Sequence, residues 1–157
     1  MERNTAEKQT TEQMVQLVCF KLADEQYGLN ITQVQEVIRM QKITPVPRMP
    51  EFVLGVVNIR GTVVPVFDLR KKFSLAIKPF DDKTKIMVTI QNGVQVSFIV
   101  DEILDNVKFE ESKQNPPPSV KMKIKKECLK GLAMLEGRTV IIVDLDNLCD
   151  DINKSIN

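Results

Sequence analysis

Residues Gly55 to Leu69, GVVNIRGTVVPVFDL, return in altered form seventy-six positions later as GLAMLEGRTVIIVDL, Gly131 to Leu145. Aligned without gaps, Gly55 matches Gly131, Gly61 matches Gly137, Val64 matches Val140, and Asp68-Leu69 matches Asp144-Leu145. Five identities in fifteen positions, with both glycines and the Asp-Leu pair at the same offsets, are more than two generic hairpins need share, and they point to an internal duplication. In each copy β-branched and apolar residues lead up to a glycine and away from it, the pattern of a β-hairpin. A weaker parallel joins YGLNITQV, Tyr27 to Val34, to VSFIVDEI, Val96 to Ile103, where an apolar strand runs into a polar turn. The tips differ: Asn58-Ile59-Arg60 becomes Met134-Leu135-Glu136. Framework is shared and tip chemistry is not.

Taken in order, residues 1–12 are polar and are expected to form a flexible tail. Apolar runs at Met14–Leu22 and Tyr27–Ile31 flank a turn at residues 23–26 and predict a first hairpin. Asn30 and Gln33 are spaced as a capping box, and a short helix with Ile31, Val34, Gln35 and Ile38 on one face is expected after it. Pro45, Pro47 and Pro50 make the next stretch an extended link, and Glu51 to Leu54 is read as one helical turn. Pro65 suggests an exposed edge or a bulge in the second strand of the central hairpin, and a short helix, LRKKF, follows Asp68 with its Lys and Arg outside. Residues 74–83 are a connection, where the division between repeats is placed. A third hairpin, Lys85 to Asp101, turns at Asn92-Gly93, a pair that accepts the positive φ of a type I′ turn. After the Pro116-Pro117-Pro118 loop, a fourth hairpin turns at Glu136-Gly137, and residues 144–152 read as a closing helix with a tail at 153–157. Four hairpins and short helices predict paired small β-barrels within residues 13–152.

Composition narrows the chemistry. At 157 residues the chain can bury about two-thirds of its unfolded surface. Twenty-two basic against 21 acidic residues, without a long block of one sign, argue against nucleic acid as a partner; KMKIKKE, Lys121 to Glu127, is the densest basic segment and reads as a solvated loop or edge. There is no histidine, so the commonest general base and metal ligand is missing. Six glycines never form a GxG or GxxxxGK pattern, which leaves nucleotide binding without support. Asp144-Leu145-Asp146-Asn147 fails as a calcium loop, because Leu148 and Cys149 stand where an oxygen ligand and a glycine are needed. No metal, cofactor or catalytic residue is therefore expected. Cys19, Cys128 and Cys149 form no CxxC and read as buried free thiols. The amino terminus has no apolar core of a leader and no run approaches the roughly 20 apolar residues of a span, so a cytoplasmic protein without membrane insertion is expected. What remains is surface recognition, with Arg60 at a hairpin tip and Glu36 beside the apolar Ile31 and Val34 as candidates.

At DEQYGLNITQVQEVI (Asp24 to Ile38), ITPVPRMPEFVLGVVNIRGTVVPVFDLRKKF (Ile43 to Phe73) and GLAMLEGRTVIIVDLDNL (Gly131 to Leu148), the sequence resembles the CheW family of bacterial chemotaxis coupling proteins. The resemblance covers nearly the whole chain beyond the tail, and its NIRG-x-VVPVFDLR element is specific to that family and its relatives. It implies a fold of two SH3-like five-stranded β-barrels sharing an apolar interface, in agreement with the duplication. It implies a non-enzymatic adaptor between the cytoplasmic tip of methyl-accepting chemoreceptors and the regulatory domain of the kinase CheA, located at receptor arrays beneath the inner membrane. Carried onto this chain, the receptor surface would be Ile31, Val34, Glu36, Arg60, Val63, Phe98 and Ile103. The kinase surface would be Met40, Leu54, Gly55 and Val120. The proline run and the basic segment after it depart from the family pattern near the second contact region. A module of the same fold in another two-component pathway, or a small-ligand-binding β-barrel, are the alternative readings.

Overall fold

The computed structural model describes residues 13–119 and 122–156; the tail expected at 1–12 and the candidate Val120 lie outside the described residues. The strands are β1 (Met14–Leu22), β2 (Glu25–Asn30), β3 (Val34–Arg39), β4 (Val53–Ile59), β5 (Thr62–Asp68), β6 (Lys85–Gln91), β7 (Val94–Val100), β8 (Glu102–Glu110), β9 (Gln114–Asn115), β10 (Leu129–Leu135) and β11 (Arg138–Val143). Helix α1 (Leu69–Lys72) follows β5 and α2 (Leu145–Ile156) follows β11. All four predicted hairpins form. The central one turns through Arg60 at φ +50° and Gly61 at φ +87°, and the Asn92-Gly93 turn has φ +52° and +77°, the geometry of type I′ turns.

Two sheets result, in the orders β8-β1-β2-β11-β10-β9 and β3-β6-β7-β5-β4. The duplication is physical. β5 runs parallel to β7 in one sheet as β11 runs parallel to β2 in the other. The ladder slips between Val53 and Gly55 and again between Leu129 and Gly131. Beside each slip another backbone presses in: a Cβ on Gly55 would stand 2.0 Å from the Thr44 carbonyl oxygen, and one on Gly131 2.1 Å from that of Asn115. That contact explains why both positions are glycine. Asp68 N–H donates to the Phe52 carbonyl and Asp144 N–H to that of Cys128, both at 2.8 Å. Each aspartate then caps a helix, Asp68 accepting from Arg70 N–H and Asp144 from Asn147 N–H.

The sequence repeats are not the barrels. The connection at residues 74–83 does separate two copies of a five-strand plan, β1 to β5 and then β6, β7, β8, β10, β11. Yet β3 leaves β1 and β2 to pair with β6, and β8 leaves β6 and β7 to pair with β1. Each barrel is thus built from strands of both repeats.

Three apolar cores follow. Leu17, Cys19, Phe109, Ala133, Val140 and Ile142 fill one barrel, and Val57, Ile59, Val64, Val66, Ile86, Val88 and Ile99 the other. The largest core lies between them, built around Phe20, Tyr27, Leu29, Phe67, Met87, Phe98 and Ile141 and closed by Leu145, Leu148 and Ile152 of α2. A strand such as β7 buries Ile99 in its own barrel and Val96, Phe98 and Val100 in the shared core, so its apolar run does not alternate.

Several expectations need correction. After Asn30, which accepts from Thr32 N–H, only a single 3₁₀ turn forms at Ile31–Gln33; the chain then extends as β3 along β6, with a bulge between Val34 and Glu36 that sends Val34 to the shared core and Ile38 to the interior of its own barrel. Residues 51–52 are a turn, with Val53 N–H donating to the Pro50 carbonyl, and β4 begins at Val53, so the expected helical turn does not form. β5 is an interior strand. Pro65 is tolerated because its partner Val56 directs both backbone groups to Thr44, and the parallel ladder to β7 begins only at Val66. β8 is a strand that the local sequence pattern does not announce. Arg70 is buried, not outside. Helix α2 runs through Ile156, with Ile152 buried and Ile156 packed on the shared core, so the tail placed at 153–157 is mostly helix.

Candidate protein-docking site

The Ile31–Gln33 turn and β3 carry the first candidates. Ile31, Val34 and Ile103 are all half-buried and pack against the same shared core, Val34 from β3 and Ile103 from β8. Val34 and Ile103 stand at matching positions of the weaker repeat, so each exchanged strand brings one apolar residue to the rim of the inter-barrel core. From the same turn Gln33 reaches Asp146 Oδ1 at 3.4 Å, as does Gln91, and Gln91 also lines a shallow apolar groove of about 260 Å³. Pro65, Phe67, Val94, Val96, Cys149 and Ile152 form that groove.

Glu36 points from β3 to the tip of the β4–β5 hairpin, where its carboxylate pairs with the Arg60 guanidinium. The tip is fixed by Asn58, whose Oδ1 accepts from Gly61 N–H at 2.8 Å. β3 and β4 are opposite edges of their sheet, so this ion pair can form only because the sheet curls until its edges meet. The other barrel has its counterpart: Asp105 on β8 takes Arg138 at the foot of β11, with both guanidinium nitrogens at 2.9 Å. Glu36 and Asp105 again occupy matching repeat positions. The Arg60 side chain is 70 % exposed, which leaves it open to a partner as well. Val63, just beyond the tip, is 64 % exposed.

Phe98 does not belong to this surface. It is 1 % exposed and packs against Phe67 with ring centroids 6.0 Å apart, inside the shared core. The candidates for a second surface sit apart from the first. Met40 and Leu54 are half-buried against the interior of the β3–β7 barrel rather than the shared core. Gly55 is buried and offers backbone only. Leu54 opens onto a second apolar depression with Ile77, Pro79 and Phe80 of the connecting segment, and Ile77 is as exposed as Val63. These linker residues, and Val94 on β7, were missed in the sequence because isolated apolar residues in a loop or beside a turn give no periodic signal.

Charged groups elsewhere hold the framework. Arg70 Nε donates to Asp101 Oδ1 at 2.7 Å and its second nitrogen takes Oδ2, while Ala23 N–H donates to Oδ2 at 2.7 Å. One pair thus ties α1, the β7–β8 junction and the β1–β2 turn. All three cysteines are free and buried; desolvation pushes the Cys19 and Cys149 thiols up to about 11, which makes them poor nucleophiles at neutral pH. Among the described residues no three of His, Cys, Asp and Glu converge as a metal ion would require, and no helix is long and apolar enough to cross a membrane.

Fold and surface together define a strand-exchanged double β-barrel with an apolar junction rimmed by an ion pair. Residues 16–153 match the model of the CheW-like domain, and the chain belongs to that family. It is 32 % identical to the chemotaxis protein CheW of Bacillus subtilis over 146 residues, covering 93 % of this chain and 92 % of the relative. It is equally identical to CheW of Klebsiella aerogenes over 133 residues, 85 % of this chain and 80 % of that one. The crystal structure of the scaffolding protein TtCheW from Thermoanaerobacter tengcongensis superposes with a TM-score of 0.78 at 33 % identity, covering 85 % and 86 % of the two chains.

Proposed function

We propose that this chain is a non-enzymatic chemotaxis adaptor that couples methyl-accepting receptors to the histidine kinase CheA within signalling arrays at the cytoplasmic face of the inner membrane. The supporting observation is the separation of two apolar surfaces. Ile31, Val34 and Ile103 lie on the rim of the shared core beside Glu36 and Arg60, whereas Met40 and Leu54 lie on the core of one barrel. The first receives the helical tip of the receptor in a helix-in-groove mode, with Arg60 and Val63 at its border. The second receives the regulatory domain of the kinase. An adaptor that binds one receptor state better than another passes that difference to the kinase without chemistry, typically about 1–3 kcal/mol.

The test is a three-component reconstitution of receptor cytoplasmic fragment, CheA and this protein. Val34→Asp is expected to weaken receptor capture while far-UV circular dichroism and CheA capture stay unchanged. Arg60→Ala is expected to keep the fold and to loosen receptor control of kinase activity. Receptor capture at wild-type strength by Val34→Asp would remove the groove from the assignment, and kinase control that never requires this protein would remove the function.

A further inference from the structure

The ladders that assemble the hairpins into sheets join one repeat to the other. β1 pairs with β8, β3 with β6, β5 with β7, and β2 with β11. Within a repeat the pairings are the hairpins, β1–β2 and β4–β5 in the first and β6–β7 and β10–β11 in the second, with the two-residue β9 added to β10 and a single bridge between Thr44 and Val56. The shared core likewise draws Phe20, Tyr27 and Phe67 from the first repeat and Met87, Phe98 and Ile141 from the second. Isolated hairpins of this kind are at best marginal in water, so each repeat needs the other to bury its strands.

The covalent link between the repeats is a single segment. Its two ends are anchored: Leu75 N–H donates to the Arg70 carbonyl at 2.8 Å, Arg70 holds the Ala76 carbonyl, and Asp81 N–H donates to Thr84 Oγ1 at 2.9 Å. Between the anchors stand Ile77, Lys78, Pro79 and Phe80, all exposed. Nothing in the ladders depends on these four residues.

We propose that the repeat-to-repeat surface is an interaction surface for a second copy of this chain. In the exchanged dimer, the first repeat of one copy assembles with the second repeat of its partner, and residues 77–80 act as the hinge. Monomer and exchanged dimer make the same ladders and the same cores. They differ in loop closure and in the entropy of association, so the length of the hinge and the protein concentration set the balance. Each exchanged dimer carries two complete double barrels and is therefore bivalent for whatever the docking surfaces bind.

Deleting Ile77 to Phe80 removes roughly 13 Å of reach. The expected result is a doubling of mass by light scattering with an unchanged far-UV spectrum. A variant with the native spectrum that stays monomeric however far it is concentrated overturns the proposal. Should the deletion variant not fold, the full chain with a protease site inserted between Lys78 and Pro79 decides. It is cut after folding, unfolded in urea and refolded together with an isotopically heavy, equally cut copy. Native mass spectrometry is expected to show light–heavy hybrids as about half of all particles, the statistical proportion for pairwise reassembly. Halves that fold apart, or that do not reassemble, overturn it.

Discussion

Val63 and Phe98 stand one β-strand apart and do opposite things. Val63 is 64 % exposed on β5, while Phe98 on β7 is closed over by Phe67 and the rest of the shared core. Truncating Phe98 to alanine removes a buried ring from the shared core and is expected to cost about 3–5 kcal/mol, read as a fall in the urea midpoint. Val63→Ala should change stability by no more than about 0.5 kcal/mol, because almost nothing packs on it. If Phe98→Ala were neutral for stability and lost only receptor capture, its place in the core would be wrong. The sequence does not separate these two residues, since both lie in unbroken apolar runs. In a strand buried on both faces the period of two disappears, and with it the signal that tells surface from core. Arg60 and Gly55 were more legible, because a hairpin tip and a close backbone approach leave marks in residue type.

Hairpins, turns and caps came through clearly because each is fixed by neighbours in the chain: Asn92-Gly93 needs positive φ, and Asp68 needs only the next three N–H groups to cap α1. The missing element, β8, and the misread segment at residues 34–38 are the strands that cross between barrels, whose partners lie far away in sequence. The Arg70–Asp101 pair was invisible for the same reason, its members standing 31 positions apart. Removing one partner strands a charge in a place about one-tenth exposed, so Arg70→Met and Asp101→Ala should each cost about 3 kcal/mol or more, and the double variant less than the sum. Additive losses in that cycle would mean the two side chains act independently. A second tie links the helices: Asp151 on α2 pairs with Lys72 of α1 at 2.6 Å and with Lys125 at 2.8 Å. The hydrogen bond from Lys125, and then that from Lys72, hold the Asp151 carboxyl below the usual carboxylate range. A folded value below the unfolded value of about 4 stabilises fully above that pH and is lost as pH falls through the folded value. The urea midpoint of the wild type should therefore drop more than that of Asp151→Asn between about pH 5 and pH 3. Parallel curves would show that the pair contributes nothing.

At the scale of the whole molecule the repeat was legible and the exchange was not. Composition and local pattern record that two similar halves exist, but which half supplies the third strand of a barrel is decided by packing at long range. That exchange has a thermodynamic consequence. Neither barrel can lose its strands without opening the other, because β3 and β8 each link the two barrels, and both barrels lean on one shared core. Two barrels joined by a mere linker would unfold in two steps; these should unfold in one. The chain supplies its own probe, since it has no tryptophan and a single tyrosine, Tyr27, whose ring stacks on Phe20 in the shared core. Near-ultraviolet dichroism of Tyr27 therefore reports the junction, and far-ultraviolet dichroism reports the strands of both barrels. The two urea transitions are expected to coincide in midpoint and slope. A tyrosine signal lost well before the strand signal would mean that the barrels stand without the junction, and the interlocked architecture would then contribute little to holding the two docking surfaces in register.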